Sequence, residues 1–157
     1  MTSHQTVPNE RIVILNRYAE REWITVFPGE DVSIRVKGED VNGEYTFLDL
    51  VEGPGKGTFI HYHEESDEII HIIEGVAHIH LNGKEFDAVA GDIIVIPRGV
   101  AHGFINLTDS RLCMSIMYTP SGLENMFSDV IGKSKEEVVE LVTTKYKTFI
   151  VGPLNNN

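Results

Sequence analysis

The sequence predicts an all-β fold, an antiparallel sandwich or barrel that carries helices toward its C-terminal end. Two observations predict it. Between residues 11 and 118, short runs rich in β-branched and aromatic residues recur about every ten positions, each closed by Gly, Pro, Asn or Asp. Beyond Pro120 the apolar residues switch to a helical period, set behind a serine in each of two segments.

Taken in order, "RIVIL" from residue 11, "WITVF" before "PGED", "SIRV" before "KGEDVNG" and "EYTFLDLV" before "EGPGKG" read as strands. The runs "EIIHII", "AHIHL", "DIIVI", "HGFIN" and "RLCMSIMY" continue the series. Asn82 and Gly83 make the two-residue turn of a hairpin, since both residue types accept positive φ. Next come two helices, "SGLENMFSDVIG" and "SKEEVVELVTTKY", with Ser121 and Ser134 as N-caps, and Ser134 with Glu137 fits a capping box. "KTFIVGPL" reads as one more strand and "NNN" as a frayed tail. No repeat or low-complexity linker interrupts the chain. Residues 1–157 are therefore expected to form a single domain, with a barrel core over about 11–119 and a helical segment over about 121–147.

A chain of 157 residues buries enough surface to fold without disulfide staples. Its one cysteine, Cys113, has no internal partner, which favours a reducing compartment. The opening "MTSHQTVPNERIVIL" lacks the basic, apolar and small-residue parts of a secretory signal, and no apolar run approaches bilayer length. The expectation is a cytoplasmic protein without a membrane partner. A net charge of −11, with only 13 scattered Lys and Arg, argues against a nucleic-acid surface.

The chemistry concentrates in "HYHEESDE" and "PRGVAHGFIN". On a strand His61 and His63 share a face, with Cα atoms roughly 6.5–7 Å apart. Glu68 follows after a polar connection that turns the chain back, and His102 opens a later strand behind Pro97 and Gly99. Three imidazoles and one carboxylate suit a divalent first-row metal bonded at about 2.0–2.2 Å.

These residues carry a resemblance. From Gly55 through His61, His63 and Glu68 to Gly75, the chain matches the cupin pattern Gly-x5-His-x-His-x4-Glu-x6-Gly at every specified position. From Gly91 through Pro97, Gly99 and His102 to Asn106, it matches the second pattern, Gly-x5-Pro-x-Gly-x2-His-x3-Asn. The chain thus resembles the cupins, and its C-terminal part is similar to that of small quercetinase-like members, although "GPL" keeps only one proline. The resemblance implies a double-stranded β-helix, or jelly-roll barrel, with His61, His63, Glu68 and His102 as ligands of one metal (Fe, Mn, Ni, Cu, Co or Zn). It further implies a dioxygenase-type oxidoreductase in which Glu68 also acts as the catalytic base on a small aromatic or enolic substrate. An isomerase or lyase, or a non-catalytic binder of small molecules, remains open.

His78 and His80 repeat the His-x-His spacing but show no third ligand, and are expected on an outer or interface face. His71 stands at an odd offset from Glu68 and points the other way. Glu64, Glu65 and Asp67 read as a solvated loop, Arg98 as a surface turn residue and Asn106 as structural. Phe59, Ile70, Ile72 and Phe104 are expected to form an apolar pocket wall. Cupins of this kind commonly pair, and "RIVILNRY" would serve as an edge or swapped strand, so a homodimer is expected.

Overall fold

The computed structural model describes residues 13–153. Two antiparallel sheets face each other. The first has the order β1 (Ile24–Phe27), β2 (Glu30–Val36), β3 (Thr46–Glu52), β10 (Leu112–Thr119), β5 (Asp67–Glu74) and β8 (Ile93–Ile96). The second runs β11 (Thr148–Gly152), β4 (Ile60–His63), β9 (His102–Ile105), β6 (Val76–Leu81) and β7 (Lys84–Val89). Neighbours in space are mostly distant in sequence, which is a jelly-roll arrangement.

Alternation places the core. Along β5, Glu68, Ile70 and Ile72 are buried while Ile69 and His71 are only half so. With Leu48, Ile79, Leu112 and Met114 they fill the space between the sheets. At 82–83 the two turn residues have φ of 49° and 77°, the left-handed pair that matches the twist of the β6–β7 hairpin. Gly57 is required for a different reason: a side chain there would run into the Phe104 carbonyl where Gly57 bridges to Ile105.

Helices α1 (Glu124–Asp129) and α2 (Lys135–Thr144) pack at one end of the barrel. The Ser134 hydroxyl accepts from the Glu137 N–H at 3.2 Å, and the Glu137 carboxylate accepts from the Ser134 N–H at 2.7 Å. Ser121 caps nothing. The N-cap of α1 is Leu123, and the buried Glu124 carboxylate instead takes the N–H groups of Gly122 at 2.6 Å and Gly38 at 2.8 Å. A tertiary contact has replaced the local cap. Among the described residues no helix is long and apolar enough to cross a membrane.

The N-terminal strand expected at "RIVIL" is absent from 13–15; residues 11 and 12, like "NNN", lie outside the described residues. Residues 13–17 are irregular and are held by side chains. Asn16 exchanges hydrogen bonds with Arg35, and Arg21 and Arg35 both reach Asp49, at 3.0 and 2.7 Å. Asn16 is thereby tied to β2 through hydrogen bonds outside the ladder, while the strands that pair with β2 are β1 and β3.

Candidate metal centre

His61 and His63 leave β4 on one face. Its neighbour β9 pairs His61 with His102, and β5 presents Glu68 from the opposite sheet. The four groups meet: one nitrogen or oxygen from each lies within 4.8 Å of all the others. The imidazole centroids are 4.4 to 5.4 Å apart. Glu68, His63 and His102 are 2–3% exposed, so the cluster is held inside the barrel away from bulk solvent.

The turn that aims His102 is fixed by Gly99, whose φ of 80° suits glycine and whose N–H donates to the His63 carbonyl at 2.7 Å. The Arg98 guanidinium clasps Asp67 at 3.0 Å, and the Arg98 N–H meets the same carboxylate at 2.9 Å. Asp67 is thus less free than its neighbours Glu64 and Glu65, which are exposed. This pair joins the loop before Glu68 to the loop before His102.

Each imidazole is oriented through its Nδ1. His61 Nδ1 meets the Phe59 carbonyl at 2.7 Å, His102 Nδ1 the Val100 carbonyl at 2.9 Å, and His63 Nδ1 the Thr148 hydroxyl of β11 at 2.8 Å. A carbonyl can only accept, so Nδ1 of His61 and His102 carries the proton. Their Nε2 atoms then face inward, where a metal would take the lone pair in place of the proton that His102 Nε2 otherwise shares with Glu68. Opposed ligands of a cation bonded at about 2.0–2.2 Å stand about 4.0–4.4 Å apart. A contraction of a few tenths of an ångström therefore suffices, and the residues fit a first-row divalent metal.

Electrostatics agree. Burial would raise the Glu68 carboxyl, but His102, with hydrogen bonds from His102 at 2.7 Å and His63 at 3.2 Å, outweighs it and holds Glu68 well below the carboxylate range. Burial, then the neighbouring His102 and His63, pulls His61 down to about 3. For His102 burial acts downward, yet Glu68 prevails and raises it.

The cluster opens on a cavity of about 440 Å³, within the range of small-molecule sites. Phe59 and Phe104 line it as expected, with Leu50 and Ile116; helices α1 and α2 contribute Phe127 and Val142. Ile70 and Ile72 do not reach it. They share the Glu68 face but lie further along β5, where they are 1% and 0% exposed in packed core. Sequence reasoning missed Tyr118, which pairs with Glu68 across β10 and β5 and stands 5.5 Å from the His63 ring. Burial foremost, and then the Glu68 charge, pushes its phenol well above the ordinary value, so it stays protonated. Thr148 was missed as well. Both sit at period-two positions of recognised strands, but only the register shows what they face.

The remaining described histidines fall outside. His78 and His80 lie on the outer face of β6, where His78 Nδ1 is 2.8 Å from Asp87 and His80 Nδ1 is 3.5 Å from Glu85. His71 is on the outer face of β5. Asn106 is fully buried, and its amide donates to the carbonyls of Glu52, Gly53 and Ser110.

Residues 50–118 match the family described as "Cupin domain". The chain is similar to a quercetin 2,3-dioxygenase of Bacillus subtilis, 24% identical over 127 residues, covering 81% of this chain and 37% of that protein. It is 31% identical over 67 residues to "Polyketide synthase CurC" of Streptomyces cyaneus, covering 43% of this chain and 44% of the relative. The chain thus aligns with less than half the length of these curated relatives. Among solved structures, KdgF from Halomonas sp. superposes with a TM-score of 0.64 at 21% identity, over 73% of this chain and 99% of that one.

Proposed function

This chain carries a cupin domain, and from that premise we propose that it is a metal-dependent oxidoreductase of dioxygenase type acting on a small aromatic or enolic compound. One observation carries the reading: three imidazoles and a carboxylate converge at the wall of a largely apolar cavity of about 440 Å³. His61, His63, His102 and Glu68 would hold the metal, which supplies Lewis acidity and, when redox-active, one-electron chemistry. The likeness to the Bacillus dioxygenase supports the choice of reaction.

The chain's own groups divide the work. Phe59, Phe104 and Ile116 exclude water and bind an apolar ring. Glu68 accepts the proton of an enolic or phenolic hydroxyl. As an ion held low by His63 and His102 it is a poor base in place, so it acts when it swings away from them and its proton affinity rises. Tyr118, protonated beside Glu68, donates a hydrogen bond to the substrate oxygen or to the carboxylate.

Oxygen uptake tests the proposal, using protein loaded in turn with iron, manganese, nickel, copper or cobalt and offered flavonols and diketones. Uptake with at least one pair is expected; none with any pair rejects it. A second reading follows from Tyr118 next to Glu68, since a fixed acid and base suffice for isomerisation or elimination without oxygen. Products formed under anaerobic conditions would favour that reading. We also propose a homodimer, supported by exposed apolar side chains at Leu15, Tyr18, Ile93 and Val95, and checked by sedimentation.

A further inference from the structure

The cavity has a second polar wall, which the histidine cluster does not use. Glu52 ends β3 and is 0% exposed, and among the described residues no hydrogen-bond donor from outside the Glu30–Glu52 pair reaches either of its carboxylate oxygens. Directly across the strand pairing stands Glu30, the first residue of β2, and both line the cavity. Lys56 lines it too, its aliphatic stem lying along Gly29. The backbone of this corner is fixed independently of the carboxyls, because the Asn106 amide donates to the carbonyls of Glu52 and Gly53 at 3.2 Å each. A buried polar group held in place without a donor costs on the order of 1–3 kcal/mol, more if charged. A well-packed core replaces such a group with a hydrocarbon unless something binds there.

The groups that face the pair are Asp31 beside Glu30, Lys56 on the loop after β3, and Tyr118 on β10. Burial raises both carboxyls above the ordinary range, and each raises or answers the other, so the pair retains a proton near neutral pH. One proton on two carboxyls makes both a donor and an acceptor, with a single negative charge that Lys56 offsets. A neutral hydroxyl complements such a site better than an ammonium. Glu30 and Glu52 line the same cavity of about 440 Å³ as His61, His63 and Glu68, a space that accommodates a molecule of two or three fused or linked rings.

We propose that Glu30 and Glu52 form the second binding end of the cavity and hold a hydroxyl on the distal ring of an aromatic ligand whose enolic oxygen reaches the histidine cluster. This rests on the cavity being the substrate site. The probes are 3-hydroxyflavone and 3,4′-dihydroxyflavone, which share one chelating end and differ by a single distal hydroxyl. Affinities are measured by calorimetry on zinc-loaded protein, so that no turnover intrudes. Wild type should prefer the dihydroxy probe by about tenfold or more, the worth of one buried hydrogen-bonded pair. In the Glu30→Leu/Glu52→Leu variant the preference should fall to within about twofold. Glu30→Leu alone, at the half-buried member, should reduce the preference at least about fivefold and covers the case in which the double variant misfolds.

Equal affinity of wild type for the two probes, no binding of either, or a preference that survives both variants would overturn the proposal. Cobalt absorption keeps the metal reading separate. Its absence in wild type would sink the metal centre while the hydroxyl preference could still be measured, and it should not change in the Glu30 and Glu52 variants.

Discussion

β4 and β6 carry the same His-x-His spacing and lie in the same sheet, with β9 between them, yet the two pairs have opposite fates. On β4, His61 and His63 turn inward, toward His102 from the neighbouring strand and Glu68 from the facing sheet. On β6, His78 and His80 turn outward, and their cross-strand partners in the β6–β7 hairpin are Asp87 and Glu85. In a sheet, two histidines one residue apart fix a shared face but not which face. What decides is the phase of the apolar residues around them. Ala77 and Ile79 are 0% and 1% exposed and take the inner face of β6, leaving only the outer one to its histidines.

The contrast breaks most sharply at the inner pair. His63→Ala or His102→Ala should abolish retention of a transition metal, lowering affinity by more than the roughly 10–100-fold typical of losing an outer hydrogen-bond partner. Metal content after dialysis and a cobalt titration read the effect. Metal retained by both variants would mean that the cluster is a hydrogen-bonded core motif and nothing more.

A smaller loss is expected one bond further out. Thr148→Val removes the hydroxyl that meets His63 Nδ1 but keeps the shape and burial of the β11 position. Metal affinity should drop by roughly 10–100-fold with the fold intact. The outer pair meets solvated carboxylates, Asp87 and Glu85, in place of a buried hydroxyl.

Much of this was legible in sequence, because it depends on local order. The four converging residues are spaced by strand periodicity and by turns that need Gly55, Gly75, Gly91 and Gly99, and the capping box at Ser134 is a property of four consecutive residues. Tyr118, Thr148 and the Glu30–Glu52 pair were not legible. Each matters through a cross-strand neighbour 50, 85 or 22 residues away, and register is set by the whole fold. The misplaced cap at Ser121 and the missing first strand have the same origin. Glu124 finds Gly38, and Asn16 finds Arg35, and either contact overrides local propensity.

Carboxylates sharpen the comparison further. Glu30 and Glu52 are raised inside the barrel, whereas Glu85 and Asp87 lie on its outer surface. A carboxyl with a raised folded value binds its proton more tightly folded than unfolded. It therefore favours the native state at low pH, and that contribution is lost as pH climbs from the ordinary carboxylate range through the raised values. Wild type should lose thermal stability over that climb, and Glu52→Gln should lose less of it. At roughly 2–4 °C per kcal/mol for a chain of this size, the difference between the two melting curves is measurable. Parallel curves from pH 5 to 9 would show that the pair does not share a proton.

The smallest effect belongs to the outer pair, and its smallness is the point. His78→Ala and His80→Ala together remove two half-exposed imidazoles and their pairing with Asp87 and Glu85. Surface ion pairs contribute about 0–1 kcal/mol, so the melting temperature should shift by no more than a few degrees. Metal content and affinity should match wild type, since neither ring can turn through a sheet whose inner face is filled by Ala77 and Ile79. A fall in metal content here, with the melting curve unchanged, would show that the outer histidines bind metal in their own right. The two identical spacings would then be two sites, and facing inward would no longer be what separates a metal centre from a surface ion pair.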